Sequence, residues 1–280
     1  MNINTVINEA SLTLKKNFIK TPQLDSEILL GEVIKKNREY IIINQDSSVG
    51  KESYNNFKHL IEERSKGKPI AYLIGKKEFW GHQFRVNEHV LIPRPDTEII
   101  VEEVLKITKF NTNLRVLDIG IGSGCILLSV LSERKDFRGI GIDISKKSVE
   151  ISKVNALNLG LLSRVKIFKT NVDNFNYGKY DLIISNPPYI NKLDLKYLDK
   201  DVLGFEPKIA LDGGLDGLSE IRKVINKSAE LLKRNGILVL EIGFNQKERV
   251  KRLLKKKQFY IKNVLKDFAN NDRCIISKKI

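Results

Sequence analysis

Two different spacings of apolar residues divide this chain. Over residues 1–75 they recur every three or four positions: Leu30, Val33 and Ile34, then Phe57, Leu60 and Ile61, each repeat at i, i+3, i+4. That spacing predicts short helices with one apolar face, punctuated by Pro22 and by the Asn44–Gly50 stretch. From Glu78 to Pro93 the run EFWGHQFRVNEHVLIP instead sets Phe79, Trp80, Phe84, Val86, Val90 and Ile92 close to period two around Gly81 and Asn87. It predicts a β-hairpin linker. Pro93 and Pro95 stiffen its exit, and Asp96 or Thr97 is placed to cap a helix running through Ile99, Ile100, Val104 and Leu105.

Beyond this point strand and helix alternate. Strands are predicted at 115–119, 139–142, 165–168, 182–185 and 237–242, with helices from Ser123, Ser145 and Leu218. The alternation predicts an α/β domain with a mostly parallel sheet covered on both faces. Two late strand candidates, 258–264 and 274–277, fit an antiparallel hairpin at the sheet's edge. The expected organisation is a helical unit over 1–75, a hairpin linker over 76–93 and an α/β domain over 94–280.

Composition narrows the class of protein. With 280 residues, 41% of them apolar and 30% charged, the chain has ample material for a core, which excludes a disordered chain or a disulfide-stapled miniprotein. Lys and Arg total 49 against 34 Asp and Glu, a net +15, which favours anionic partners such as RNA, ribosomes or acidic proteins, or else reflects scattered surface lysines. No window is apolar enough for a membrane span, and the start MNINTVINEASLTLKK lacks the order of a signal peptide, so a cytoplasmic chain is expected. Cys125 and Cys274 form no CxxC pair and are expected as free thiols, while His59, His82 and His89 lack metal-ligand spacing, so no metal site is expected.

The chemistry concentrates at predicted strand ends. Asp118-Ile119-Gly120-Ile121-Gly122-Ser123-Gly124 closes the first strand of the α/β region and opens a helix, where glycines allow close approach of a ligand and free N–H groups attract a carboxylate. Asp143 ends the next strand about 20 residues on, where a carboxylate can accept both hydroxyls of an adenosine ribose. The pair points to a nucleoside cofactor and leaves NAD and S-adenosylmethionine open, since no GxxxxGK[ST] is present. The fourth strand ends in Asn186-Pro187-Pro188-Tyr189. Its prolines remove two N–H donors and leave carbonyl acceptors, so the Asn186 side-chain oxygen and the Pro187 carbonyl can each accept one N–H of a planar NH2 group while Tyr189 stacks on it.

With these residues in place, the chain resembles S-adenosylmethionine-dependent methyltransferases that carry an NPPY motif, and among them the bacterial PrmC/HemK family nearly end to end. The resemblance includes Gly67-Lys68-Pro69-Ile70-Ala71-Tyr72, Glu78-Phe79-Trp80, the IPRPDTE run from Ile92 to Glu98, the glycine loop, NPPY, Phe205-Glu206-Pro207, Ala210-Leu211 and Gly213-Gly214. It implies a Rossmann-like seven-stranded class I methyltransferase sheet, preceded by a helical substrate-recognition unit. It also implies methyl transfer to the glutamine side-chain amide in the GGQ motif of class 1 peptide chain release factors. By the same resemblance Gly120, Gly122 and Gly124 surround the methionine end of the cofactor, Asp143 holds the ribose and Asn171 the adenine, with Asp118, Ile121, Ser123 and Val172 also binding the cofactor. Asn186, Pro187, Pro188 and Tyr189 hold the substrate amide, with Asn186 also near the cofactor and Asn186, Pro187 and Tyr189 serving catalysis. The chain departs from the family at Thr170-Asn171-Val172-Asp173, where relatives usually carry an acidic residue often followed by Trp; Asp173 is a candidate shifted substitute.

Methyl transfer of this kind needs alignment more than a strong base, and no base is assigned in the motif. A monomer with no membrane and no stable nucleic-acid partner is expected. The alternatives are the same chemistry on adenine in DNA or on a ribosomal-protein glutamine, and a non-catalytic RNA-binding relic, which would be expected to show a broken glycine loop or NPPY. Cys125 reads as a small buried hydrophobe rather than a reactive thiol, the Lys251–Lys257 run as a solvated helix face, and Glu206 as a channel residue or the partner of a surface lysine.

Overall fold

A computed structural model describes residues 1–280. Its first helices are α1 (Ile3–Lys16), α2 (Pro22–Ile34), α3 (Arg38–Ile43), α4 (Lys51–Ser65) and α5 (Ile70–Ile74). A hairpin follows, β1 (Lys76–Phe79) and β2 (His82–Arg85), then α6 (Glu98–Ile107), β3 (Arg115–Ile119), α7 (Cys125–Glu133), β4 (Arg138–Asp143), α8 (Lys146–Asn158) and β5 (Val165–Lys169). The chain continues through β6 (Tyr180–Ser185), α9 (Lys200–Phe205), α10 (Ser219–Leu231), β7 (Leu232–Glu241), α11 (Lys247–Lys256), β8 (Phe259–Lys266) and β9 (Asp272–Lys279). It forms two compact units: Met1–Lys76 with Asp199–Phe205, and Lys77–Leu198 with Glu206–Ile280. The hairpin from Lys77 on thus belongs to the second unit, and a segment far along the chain belongs to the first. No helix is long and apolar enough to cross a membrane.

In the first unit Ile3, Val6, Ile7, Ala10 and Leu14 form one buried stripe on α1, which packs with Leu29 and Leu30 of α2 and Phe57 and Ile61 of α4. Asn2 caps α1 by accepting the Thr5 N–H at 2.9 Å. Pro22 opens α2 rather than interrupting a helix, because the first helical turn needs no N–H at that position. Val33, Ile34 and Leu60, predicted on the apolar faces, are only partly buried. Arg64 explains the inclusion of 199–205: its buried guanidinium donates to Asp25 at 2.8 Å, Asp201 at 2.9 Å and the carbonyls of Gly67 and Lys68. A buried charge needs this full set of partners.

The second unit is built on a seven-stranded sheet of order β5-β4-β3-β6-β7-β9-β8. The first five strands of that order run parallel, and β9 joins antiparallel to both β7 and β8, as predicted for an edge hairpin. Successive strand residues face opposite layers. Val116, Leu182, Ile184 and Val239 meet α6, α7 and α8, whereas Leu117, Ile183, Leu238 and Leu240 meet α10 and α11. This two-sided burial is why the strands read as continuous apolar runs.

Two predicted local features come out differently. The hairpin is shorter than the 78–93 run: Trp80 and Gly81, with φ of 51° and 68°, make a two-residue turn between four-residue strands. Val86, Val90 and Ile92 are buried through a turn at Asn87 instead of a strand ladder, so burial produced the pattern that suggested pairing. Before α6 the chain makes a 3₁₀ turn over Pro95–Thr97, and neither predicted cap forms; the Thr97 hydroxyl is engaged elsewhere.

Candidate active site

Because β4 and β6 flank β3 on opposite sides, the loops leaving their carboxyl ends diverge and open a crevice, the usual ligand position in such sheets. A cavity of about 530 Å³ fills it. Gly120, Ile121, Gly122 and Ser123 line it from the loop after β3 and Asp143 from the end of β4. Asn171 and Val172 reach it from the loop after β5, and Asn186, Pro187 and Pro188 from the loop after β6. Four local motifs therefore converge on one space.

Gly120 has φ of 80°, and a Cβ there would meet no protein atom within 4 Å, only the open cavity. Asp143 buttresses the loop: its Oδ2 accepts the Gly122 N–H at 2.9 Å and its Oδ1 the Ser145 N–H at 2.8 Å. Each oxygen keeps acceptor capacity for a ligand hydroxyl. Burial raises the Asp143 carboxyl above its usual range, against the backbone N–H groups that lower it.

Two predicted cofactor residues do not line the cavity. Asp118 lies beneath the loop, 1% exposed, with Oδ1 lacking any hydrogen-bond partner. Burial first, and then the charge of Asp143, push its carboxyl up to about 8. Gly124 serves packing: with φ of 85° it starts α7, and a Cβ would come within 2.8 Å of Leu128 Cδ1. Cys125 contributes to the cavity wall, but its low-polarity surroundings push the thiol up to about 12, consistent with an unreactive small hydrophobe.

Asn171 spends its Oδ1 on the Asp173 N–H at 3.0 Å, leaving its amide NH2 for a ligand. Asp173 itself is exposed and outside the cavity, so it does not replace the missing acidic residue.

At the NPPY corner Ser185 Oγ ties β6 to β3 by donating to the Ile119 carbonyl at 2.7 Å. Asn186 makes one side-chain hydrogen bond, from Nδ2 to Thr97 Oγ1 at 3.4 Å, which leaves Oδ1 without a protein partner. Tyr189, predicted to stack on the substrate, is turned away from the cavity. Its hydroxyl donates to Glu241 Oε1 at 3.3 Å and accepts from Arg273 at 3.2 Å, because two buried polar groups satisfy each other there. Gln246 holds the same loop by donating to the Tyr189 carbonyl at 2.8 Å and the Gly217 carbonyl at 3.0 Å.

Thr97, Glu241 and Gln246 were not singled out from the sequence as site residues. The available signal was an acidic residue, Glu241, closing the apolar run 237–240 at a strand end, as Asp143 does. Glu206 pairs with Arg94 and accepts the Ile92 N–H at 3.2 Å, so its partner is the cavity-lining arginine of the IPRPDTE run rather than a surface lysine. The Lys251–Lys257 run begins on α11, where Val250 and Leu254 turn inward and Arg252, Lys255, Lys256 and Lys257 are exposed.

Comparison with known proteins gives the family. Residues 5–75 match the PrmC N-terminal domain and residues 96–200 the methyltransferase small domain. A release factor glutamine methyltransferase of Buchnera aphidicola subsp. Schizaphis graminum is 41% identical over the full length of both chains. One from Clostridium acetobutylicum is 38% identical, covering 99% of this chain and 98% of its own. Among solved structures, a ribosomal protein L11 methylase from Lactobacillus delbrueckii subsp. bulgaricus shares the fold, with TM-score 0.51, 18% identity and coverage of 70% of this chain and 86% of its own. Identity of this extent from end to end means that the chain belongs to the release factor glutamine methyltransferase family.

Proposed function

We propose that this protein transfers a methyl group from S-adenosylmethionine to the side-chain amide nitrogen of the glutamine in the GGQ motif of class 1 peptide chain release factors. The observation that carries this reading is the meeting of the glycine loop, Asp143 and Asn186–Pro188 on one cavity, in a chain of this family. The residues present fit the cofactor: Gly120 leaves space that a Cβ would fill, and Asp143 retains lone pairs for ribose hydroxyls. Asn171 and Val172 would border the adenine.

Bound there, S-adenosylmethionine supplies an electrophilic methyl group on a sulfonium. The protein's own contribution is alignment. Asn186 Oδ1 and the Pro187 carbonyl accept the two N–H groups of the glutamine amide and aim its nitrogen into the cavity. Both acceptors also favour positive charge developing on that nitrogen, which stabilises the transition state electrostatically. Pro187 and Pro188 offer no N–H donor to compete. A translation factor as substrate implies a cytoplasmic enzyme.

The test is label transfer from radioactive S-adenosylmethionine to a purified class 1 release factor, beside a GGQ-to-GGA variant, a ribosomal protein and adenine-containing DNA. Label in the wild-type factor alone is the expected result. Label in DNA or in the ribosomal protein, with none in the factor, would replace this reading.

A further inference from the structure

Behind Asn186 lies a chain of buried polar groups drawn from four distant parts of the sequence. Glu241, at the end of β7 and 3% exposed, accepts the Thr97 hydroxyl at 2.9 Å on Oε2 and the Tyr189 hydroxyl at 3.3 Å on Oε1. Thr97, equally buried, accepts in turn from Asn186 Nδ2 at 3.4 Å. Arg273 of β9 donates to Tyr189 at 3.2 Å and is held by Asp267 at 2.8 Å.

The direction of these bonds has a chemical consequence. An ionised carboxylate only accepts, so Glu241 draws both hydroxyl protons toward itself. The Thr97 hydroxyl then offers Asn186 only lone pairs, and the amide must present its NH2 to Thr97. Its Oδ1 is left over for the substrate. With Glu241 neutral, the carboxyl itself can donate to Thr97, whose hydroxyl is then free to donate to Asn186. The amide would turn over and present an NH2 where an acceptor is required.

We propose that Glu241 is a positioning residue which, through the Thr97 hydroxyl, sets the orientation of the Asn186 amide and so makes its oxygen the acceptor for the substrate N–H. The inference rests on the proposed role of Asn186 toward a glutamine amide. The titratable groups around Glu241 are Asp96, Tyr189, Arg273, Cys125 and Cys274. Burial dominates and raises its carboxyl to about 7, with Thr97, Arg273 and Tyr189 opposing and Asp96 reinforcing. The oriented state therefore belongs to the ionised form and is lost as pH falls through about 7.

The experiment is steady-state methylation of the release factor by wild type, Thr97→Val, Thr97→Ser and Glu241→Gln between pH 5.5 and 9, roughly the span over which such a group titrates. It is paired with calorimetric cofactor binding and the isotope-labelled side-chain amide resonance of Asn186. Thr97→Val should lower kcat roughly 100-fold while the KM for the factor and the cofactor Kd stay within about twofold. Thr97→Ser should recover most of that loss. Wild type should lose kcat toward acid pH with a midpoint near 7, accompanied by a shift of the Asn186 resonance. Both midpoints should vanish in Glu241→Gln. A wild-type kcat in Thr97→Val, a Thr97→Ser as slow as Thr97→Val, or an acid limb unchanged in Glu241→Gln would overturn the inference. If Glu241→Gln does not fold, the two Thr97 variants decide alone. Failure of wild type to label the factor at all would instead count against the proposed function, so the two failures are distinct.

Discussion

At the carboxyl end of β3 the cavity is lined by a glycine-rich loop, whereas at the end of β6 it is lined by Asn186, whose side chain is held by another side chain. Gly120–Ser123 line it there, and the cavity-lining carboxylate beside them, Asp143, is itself held by the N–H groups of Gly122 and Ser145. Asn186 instead depends on Thr97, and Thr97 on Glu241, residues separated by most of the second unit's length. A glycine-rich cradle follows from a short sequence and accepts a ligand through shape. A side-chain acceptor must also be told which way round to stand, and that instruction comes from groups at a distance.

If the two ends differ in this way, substitutions should separate binding from transfer. Asn186→Ala should reduce single-turnover methylation on the order of 1,000-fold while calorimetric cofactor binding stays measurable, because it removes the acceptor for the reacting amide. Asp143→Ala should weaken cofactor binding roughly 10- to 100-fold through lost charge-assisted hydrogen bonds, with much of kcat returning at saturating cofactor. Equal loss of cofactor binding in both variants would break the comparison. Gly120→Ala should raise the cofactor Kd roughly tenfold, since the new methyl occupies cavity space. Because an L-residue at that φ costs about 1–2 kcal/mol, the melting temperature should also drop by a few degrees.

A separate effect concerns pH. Asp118 and Glu241 are raised to about 8 and about 7, while the unfolded chain would titrate both near 4. Between those values the folded protein holds more protons than the unfolded one, so stability declines as pH rises from about 4 to about 8 and levels off above. Thermal melts without cofactor should show this slope, and Asp118→Asn should flatten it. An unchanged slope in that variant would mean that Asp118 is already ionised in the folded protein.

Much of this architecture was legible because it is local. Short, nearly continuous apolar runs such as Val116–Ile119 and Leu182–Ser185 mark strands covered on both faces, and the i, i+3, i+4 repeats mark helices whose apolar stripes must be buried. Glycine loop, Asp143 and NPPY are recognisable because each is a short contiguous signal at a strand end. The errors share a physical cause as well. Gly124 and Asp118 sit inside the glycine motif but serve helix packing and the buried floor beneath it. Tyr189 is an aromatic beside a site, yet its hydroxyl is claimed by Glu241 and Arg273. Val86, Val90 and Ile92 alternate like strand residues although no second strand pairs with them.

By itself the sequence determined the helical first unit, the parallel sheet with its antiparallel edge and the residue types at each strand end, since these follow from backbone preference and apolar period over short stretches. Only the tertiary structure decided that Asp199–Phe205 joins the first unit through Arg64, that Glu206 pairs with Arg94, and that Thr97 and Glu241 stand behind Asn186. The reason is that a hydrogen bond's partner and direction depend on which groups share a buried volume. The pairing of β6 with β7 sets residues 186 and 241 side by side, the turn before α6 brings Thr97 to them, and no spacing along the chain encodes it.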